Sequence, residues 1–327
     1  MDRRAFVGMI AGGVLAVRQT ARAQPARKVY RIGILSLATT SDLVGPQPRS
    51  SSTSALVRGL RELGYTYGEH FVTEPRGSEG KPERFPGLAA ELVGLHVDVI
   101  VVAGPALGAL KHATSTIPIV MAAHDDPVGQ GYVQSLRRPG GNITGLSFQS
   151  VEVTGKRLEL LSELVPGGAP VGVIWNKSGV ANWRVAEAAA RERGWKLLSL
   201  EIRDADEIEG AFRAATEARA GAVLVFAASV LFPHRRRVAE LAAKSRLPTM
   251  FDLRPYVEAG GLISYSADLT DIWRRAAVYV DKILKGANPA DLPIEQPTKF
   301  ELVINAETAK ALGLTIPQSL LLRAEVI

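Results

Sequence analysis

Short runs of β-branched and aliphatic residues alternate along this chain with longer stretches in which apolar positions recur at helical spacing. Val29-Tyr30-Arg31-Ile32-Gly33-Ile34-Leu35 reads as a strand that empties into a Ser/Thr/Pro-rich loop from Ser36 to Ser54. A helix follows with Leu56, Leu60 and Leu63 on one face, closed by Gly64. Next come a helix carrying Phe85, Leu88 and Leu92, a strand Val97 to Val102, a helix Ala106 to Ala113 and a strand Ile117 to Ala122. Strands of near-continuous apolar residues imply a sheet covered on both faces, so the pattern predicts an α/β fold with parallel sheets.

The pattern also repeats. Arg61-Glu62-Leu63-Gly64-Tyr65 returns as Arg191-Glu192-Arg193-Gly194-Trp195, and Ile117-Pro118 returns as Leu247-Pro248 at the same offset. Between the paired positions lie matching strands, Val97 to Val102 and Ala222 to Phe226, each followed by a helix. Two similar α/β lobes follow from this, and a length of 327 residues suits two cores of roughly 150 residues each. Three stretches are placed to cross between them: Arg138 to Leu146, Gly260 to Tyr265, and Lys299 to Ile304, the last after a helix Ile272 to Leu284 and a loop Gly286 to Pro297. Two lobes joined by three short crossings predict a clamshell whose halves rotate about hinges.

Charge first suggests a nucleic-acid partner and then withdraws it. The formal net charge is +6, but the opening segment holds much of it. Arg3 and Arg4 precede an apolar run from Ala5 to Val17, which is followed by Ala21-Arg22-Ala23. This is the layout of an export signal, residues 1–23, cleaved near Ala23, and Arg3-Arg4-Ala5-Phe6 resembles a twin-arginine signal. With four Arg and one Asp lost to cleavage the charge falls to +3, and a periplasmic location is expected. His234-Arg235-Arg236-Arg237 has no interleaved aromatic residues and reads as a solvated helix face, so no nucleic-acid partner is expected.

Candidate chemistry is sparse. The chain has no Cys, which removes disulfides, thiolate metal sites and Cys nucleophiles, and its five His form no metal-binding pair. Gly129-Gln130-Gly131 lacks the third Gly of a dinucleotide fingerprint. Thr154-Gly155-Lys156-Arg157 ends like a phosphate loop, but Ser150 stands where the first Gly belongs, so it reads as an N-cap at Thr154 on a helix 155–165. Neither a catalytic constellation nor a cofactor or metal site is expected.

A ligand site is expected where strand carboxyl ends and helix N-termini converge. In the first lobe that selects Ser36 and Thr39, the turn Gly104-Pro105-Ala106, and Asp125 with Asp126. In the second it selects Asn176, Ser229 and Asp252, and the second crossing adds Tyr265 and Ser266. Hydroxyls and helix N-termini suit a carboxylate and the Asp side chains suit an ammonium, so an amino-acid-like molecule or small carboxylate is the expected ligand. Each of these residues taken alone also fits a purely local role, Asp126 closing a turn, Asn176 capping a helix and Ser36 beginning a loop.

Several stretches together resemble a known family. They include Leu60-Arg61-Glu62-Leu63-Gly64-Tyr65, Ala113-Thr114-Ser115-Thr116-Ile117-Pro118, Arg138-Pro139-Gly140-Gly141-Asn142-Ile143-Thr144-Gly145, Gly155-Lys156-Arg157-Leu158-Glu159-Leu160-Leu161, and Ala311-Leu312-Gly313-Leu314-Thr315-Ile316-Pro317. The chain resembles the periplasmic substrate-binding proteins of ABC transporters, in the family that includes tryptophan/tyrosine-type binding proteins. That resemblance implies a type I periplasmic-binding fold, an interlobe ligand, an inner-membrane ABC permease as partner and a monomer. It also implies lobes of residues 24–145 with 266–297, and 146–265 with 298–327. A ligand-sensing clamshell that signals to a membrane kinase or chemoreceptor is the alternative. Ala228-Ser229 stand where the family often has Asp-Pro, and the first loop lacks the family's compact Ser-Pro element; both departures argue against an aromatic amino acid.

Overall fold

The computed structural model describes residues 28–165, 168–226 and 230–327. The export-signal expectation for residues 1–23 therefore lies outside the described residues, as does Ser229.

The chain first lays down β1 (Tyr30–Ser36), α1 (Thr40–Leu43), α2 (Ser51–Glu62), β2 (Phe71–Gly77), α3 (Phe85–Gly94), β3 (Val99–Val102), α4 (Ala106–Ala113), β4 (Ile119–Ala122) and β5 (Ile143–Leu146). Then follow α5 (Thr154–Leu164), β6 (Val171–Trp175), α6 (Val180–Glu192), β7 (Leu197–Glu201), α7 (Ile208–Glu217), β8 (Ala222–Val225), α8 (Arg235–Lys244), β9 (Thr249–Phe251), α9 (Arg254–Glu258) and β10 (Ile263–Ala267). The remainder is α10 (Leu269–Leu284), β11 (Phe300–Ile304), α11 (Ala306–Ala311), α12 (Gln318–Leu321) and β12 (Glu325–Val326).

These elements form two sheets, one ordered β2-β1-β3-β4-β5 and the other β12-β11-β10-β9-β8-β6-β7. The first is parallel throughout. The second repeats the same order through β7-β6-β8-β9-β10 and is parallel there, and only the pairing of β11 with β10 is antiparallel. Its central strands are buried along their whole length, as are β3 and β4 in the first sheet, because helices cover both faces. This is a two-lobed α/β clamshell with three crossings. They run from β5 to α5, from β10 to α10, and from α10 to β11.

The helix α10 follows a strand of the second sheet yet packs on the first lobe. Tyr65 Oη donates to Asp281 Oδ1 at 2.8 Å, and Arg274 pairs with Glu62 at 3.2 Å. Beyond α10 the chain runs along the edge of the first sheet, where Leu292 O accepts from Thr144 Oγ1 and Glu295 exchanges backbone bonds with Gly145 and Ser147. The contact between α2 and α10 is close at Gly59, where an added Cβ would lie 2.4 Å from Arg274 O and 2.8 Å from Ala277 Cβ.

Some elements differ from the sequence pattern. The loop 36–54 is shorter than expected: it holds α1, and α2 begins at Ser51 because the Ser50 hydroxyl accepts from the Thr53 N–H. Leu63 is half-exposed rather than part of the apolar face, since α2 ends at Glu62. The strand β2 was invisible to the pattern, because Pro75 interrupts a period-two run whose alternate residues are only partly buried. As an edge strand it tolerates Pro, whose missing N–H has no second neighbour to bond. Thr154 is not the cap of α5: it is the first helical residue, and its hydroxyl donates back to Ser150 O at 3.0 Å.

Among the described residues no helix is long and apolar enough to cross a membrane. The close approach at Gly59 has a direct consequence. Gly59→Ala is expected to lower stability by about 1–3 kcal/mol, because the new methyl meets backbone that cannot yield without moving α10. Thermal or urea unfolding of the variant measures this, and an unchanged midpoint would refute the packing argument.

Candidate functional site

The carboxyl ends of β4 and β9 and the crossings that leave β5 and β10 meet at one place, and a guanidinium lies at the centre. Arg157, in the first turns of α5, is fully buried and heads the largest enclosed side chains. Its Nε donates to Tyr265 O at 2.8 Å, and its Nη1 donates to Ser150 O at 2.9 Å and Ser150 Oγ at 3.1 Å. Asn182 Nδ2, from α6, donates to the same Ser150 Oγ and to Thr154 Oγ1, both at 3.3 Å. Burial works against the charge on Arg157, and the fields of Asp252 and Asp125 work to keep it. A buried cation without such acceptors would be prohibitive.

The first lobe reaches this cluster through Asp125. Its Oδ1 accepts from the Ser150 N–H at 3.1 Å, and among the described residues no hydrogen bond reaches Oδ2. Asp125 keeps a solvent-accessible face, yet it is crowded enough that burial pushes its carboxyl up to about 6. A carboxyl crowded by neighbouring chain on one side and open to solvent on the other accounts for both facts. The Ser150 N–H and Arg157 pull in the opposite direction, and Glu152 and Asp126 add to the rise. Next to it, burial lowers the His124 imidazole to about 4, so the ring is neutral near pH 7; it sits edge-on to Tyr132 at 5.1 Å.

The backbone that presents this pair is strained. Ala123 has φ of 118°, a region that essentially only glycine visits at low cost. It is held there from both sides, its N–H donating to Leu146 O and its carbonyl accepting from the Gly104 N–H. Gly104 itself has φ of 60° and makes the turn into α4. Pro105 is exposed at the helix start and Ala106 is buried as its first residue.

Of the residues selected from sequence, Asp125, Asp252 and Tyr265 surround Arg157. Asp252 is buried at the end of β9, and Tyr265 stacks its ring on Phe300 at 5.9 Å. Ser266 is buried in β10 beside it, and Gly104 to Ala106 adjoin through Ala123. Others have local partners. Ser36 Oγ accepts from Ala38 N, and Thr39 Oγ1 donates to Asp42 Oδ2 at 2.7 Å. Asp126 closes a turn onto the Gly129 N–H at 2.7 Å, and Asn176 caps a short turn by accepting from Ser178. For these last two the local role is the one observed, because each carboxyl or amide oxygen lies within two or three residues of the donor it satisfies.

The residues that sequence reasoning passed over are Arg157, Ser150, Asn182 and the strained Ala123. Arg157 left a readable sign. It occupies the buried stripe of α5 with Leu160, Leu161 and Leu164, where a charge must have internal partners. The loop after β2 also touches the segment before α8, where a Cβ on Gly80 would lie 3.0 Å from Pro233. Among the described residues no cluster of three or more acidic or His side chains is arranged to hold a metal ion.

Comparisons with known proteins bear on the family and the fold. A family model described as ABC transporter substrate binding protein matches residues 43–327. A tyrosine-binding protein of Clostridioides difficile is 25% identical over 294 residues, covering 88% of this chain and 82% of its own. A conserved domain protein from Vibrio cholerae superposes with a TM-score of 0.83 at 29% identity, covering 91% of this chain and 99% of that one. An ABC domain in complex with L-Trp from Streptococcus pneumonia gives 0.81 at 28% identity, covering 92% and 100%.

The two titrating neighbours oppose each other. Asp125 is protonated in the folded state up to about pH 6 but ionises at its ordinary 3.8 when unfolded, so its contribution falls as pH rises through that window. His124 does the reverse, since its neutral folded form loses stability as pH falls from 6.5 towards 4. Asp125→Asn keeps the acceptor for Ser150 and removes only the first effect. The unliganded variant is expected to exceed the parent in stability above pH 6 by roughly 1 kcal/mol, allowing for solvent at its open face. That advantage should vanish below pH 4, and thermal unfolding across pH 4 to 7.5 checks it.

Proposed function

The chain belongs to the ABC transporter substrate binding protein family, and from that premise we propose that it is a periplasmic receptor for an amino-acid-like solute. It captures the solute between its lobes and presents the closed form to an inner-membrane ABC permease. In this reading residues 1–23 are the export signal, and the protein acts as a monomer. The lobes comprise residues 24–145 with 266–297, and 146–265 with 298–327.

The observation that carries the ligand class is Asp125. An ionised carboxylate among crowded neighbours, with Oδ1 on a backbone N–H and, among the described residues, no hydrogen bond to Oδ2, feels the field of Arg157 but has no cation in direct contact. A ligand ammonium supplies it. The N-terminal turn of α4 then offers the Ala106 N–H and the positive end of a helix to a ligand carboxylate, the Gly104 N–H being taken by Ala123 O and Pro105 having none. Asp252, Tyr265 and Ser266 border the same space, and Ser36, Thr39, Asn176 and Ser229 are further proposed contacts from the surrounding loops. The L-Trp-bound and tyrosine-binding relatives support an amino acid as the solute. Binding and closure require no bond to be made or broken, because the ligand stabilises the closed state by its differential affinity alone.

The test is thermal unfolding against a panel that includes L-tryptophan, L-tyrosine, the other amino acids and small carboxylates without an amine. A true ligand at a hundred times its Kd adds about 2.7 kcal/mol. Amino acids are expected to shift the midpoint and their deaminated analogues to fail. Affinity should weaken by up to about tenfold per pH unit below pH 6 as Asp125 takes up its proton. Asp125→Asn should weaken binding by thirtyfold or more, on the order of 2 kcal/mol or above. Analogues without an amine that bind as tightly as amino acids would overturn the assignment.

A further inference from the structure

Closure in a two-lobed receptor depends on how the crossings bend, and here one crossing and the strand that leads into another are tied to one side chain. Taking the receptor reading as its premise, we propose that Arg157 is the positioning residue of the hinge. It fixes the chain beyond β5 to strand β10 and, through Ser150, to Asp125 of the first lobe, and so sets the balance between open and closed forms.

The argument rests on where its hydrogen bonds go. A residue needed only to fill the core of the second lobe would be apolar, as Leu158, Leu160 and Leu161 beside it are. Arg157 instead sends its fork to the first crossing and to the strand from which the second one leaves: Nη1 to the carbonyl and hydroxyl of Ser150, and Nε to the carbonyl of Tyr265 in β10. With Ser150 and Tyr265 held to α5, bending at the first crossing is confined to the few residues between Leu146 and Ser150. Gln149 lies in that stretch, with φ of 56°. The Ser150 N–H simultaneously donates to Asp125 Oδ1, which belongs to the first lobe. Rotating the first lobe away breaks that bond and takes Asp125 out of the field of Arg157. The carboxylates that act on Arg157 thus come from both lobes, Asp252 from the second and Asp125 from the first. Asn182 and Thr154 hold Ser150 against α5 and α6, so the knot is rigid on one side and breakable on the other.

A readout that needs no ligand tests this. The full-length chain has no Cys, so Glu83→Cys and Arg236→Cys place one spin label on each lip at exposed positions. Distance distributions between the labels are then measured in the ligand-free protein, with and without Arg157→Lys or Ser150→Ala. Lysine keeps the charge but cannot serve Ser150 and Tyr265 together. Arg157→Lys is expected to move weight to longer distances, lowering the ratio of short to long by about tenfold or more. Ser150→Ala should shift it in the same direction by less. A merely structural Arg157 would lower the unfolding temperature and leave the distribution of the folded protein unchanged, and that result overturns the proposal. Should Arg157→Lys fail to fold, Ser150→Ala decides alone, and an unchanged distribution there overturns it equally. Absence of amino-acid binding would count against the proposed ligand and leave this outcome untouched.

Discussion

A guanidinium shut away from water has to be met by acceptors, and in this protein the acceptors are supplied by the segments that join the lobes. The bonds from Arg157 to Ser150 and Tyr265 tie the chain beyond β5 to strand β10, and the Ser150 N–H in turn bonds Asp125. The rest of the molecule is arranged so that these partners arrive together. The sheets share the strand order that brings the ends of β4 and β9 to the same side, and both crossings leave from that side. Breaking such a cluster by removing one member leaves a buried charge unpaired, which is costly. Its persistence is explained better by the geometry it imposes than by any net gain in stability.

The same region stores other unfavourable terms. Ala123 carries a backbone angle suited to glycine, Asp125 carries a carboxyl raised by burial, and His124 carries a ring whose charging is suppressed. Strain and perturbed ionisation gathered in one place are a common mark of functional sites. Elsewhere charged groups are paired on the surface. At the C-terminal edge of the second sheet, for instance, Arg254 binds Glu258, Glu301 and Glu325, tying α9, β11 and β12 together on the surface.

Hinged proteins must let their lobes move without letting either core open. Here the first lobe is completed by α10, a helix that the chain delivers only after crossing to the second sheet and back. Its seat on α2 is made by a glycine and by polar bonds from Tyr65 and Arg274. Each lobe is thus closed by chain from both sides of the crossings.

The amino-acid sequence by itself determined the α/β class, the two-lobe repeat and most helices, because apolar period and Gly or Pro punctuation are local properties. The Gly64 and Gly194 turns that mark the repeat both adopt the left-handed conformation that pattern implies. Edge strand β2 was illegible, since an edge is defined by a neighbour that is missing. For the site, the loops at the strand ends were legible as a set, because topology sends them to one side. Which side chains face the cleft was not. Asp125 and Asp126 are adjacent and chemically identical, yet one reaches across to Ser150 and the other folds back onto Gly129. Arg157 was visible only as a charge on an apolar stripe, and its role belongs to Ser150 and Tyr265, the latter 108 positions away. Hydrogen bonds between segments so distant in sequence exist only once the crossings are folded, and so the tertiary structure alone decided them.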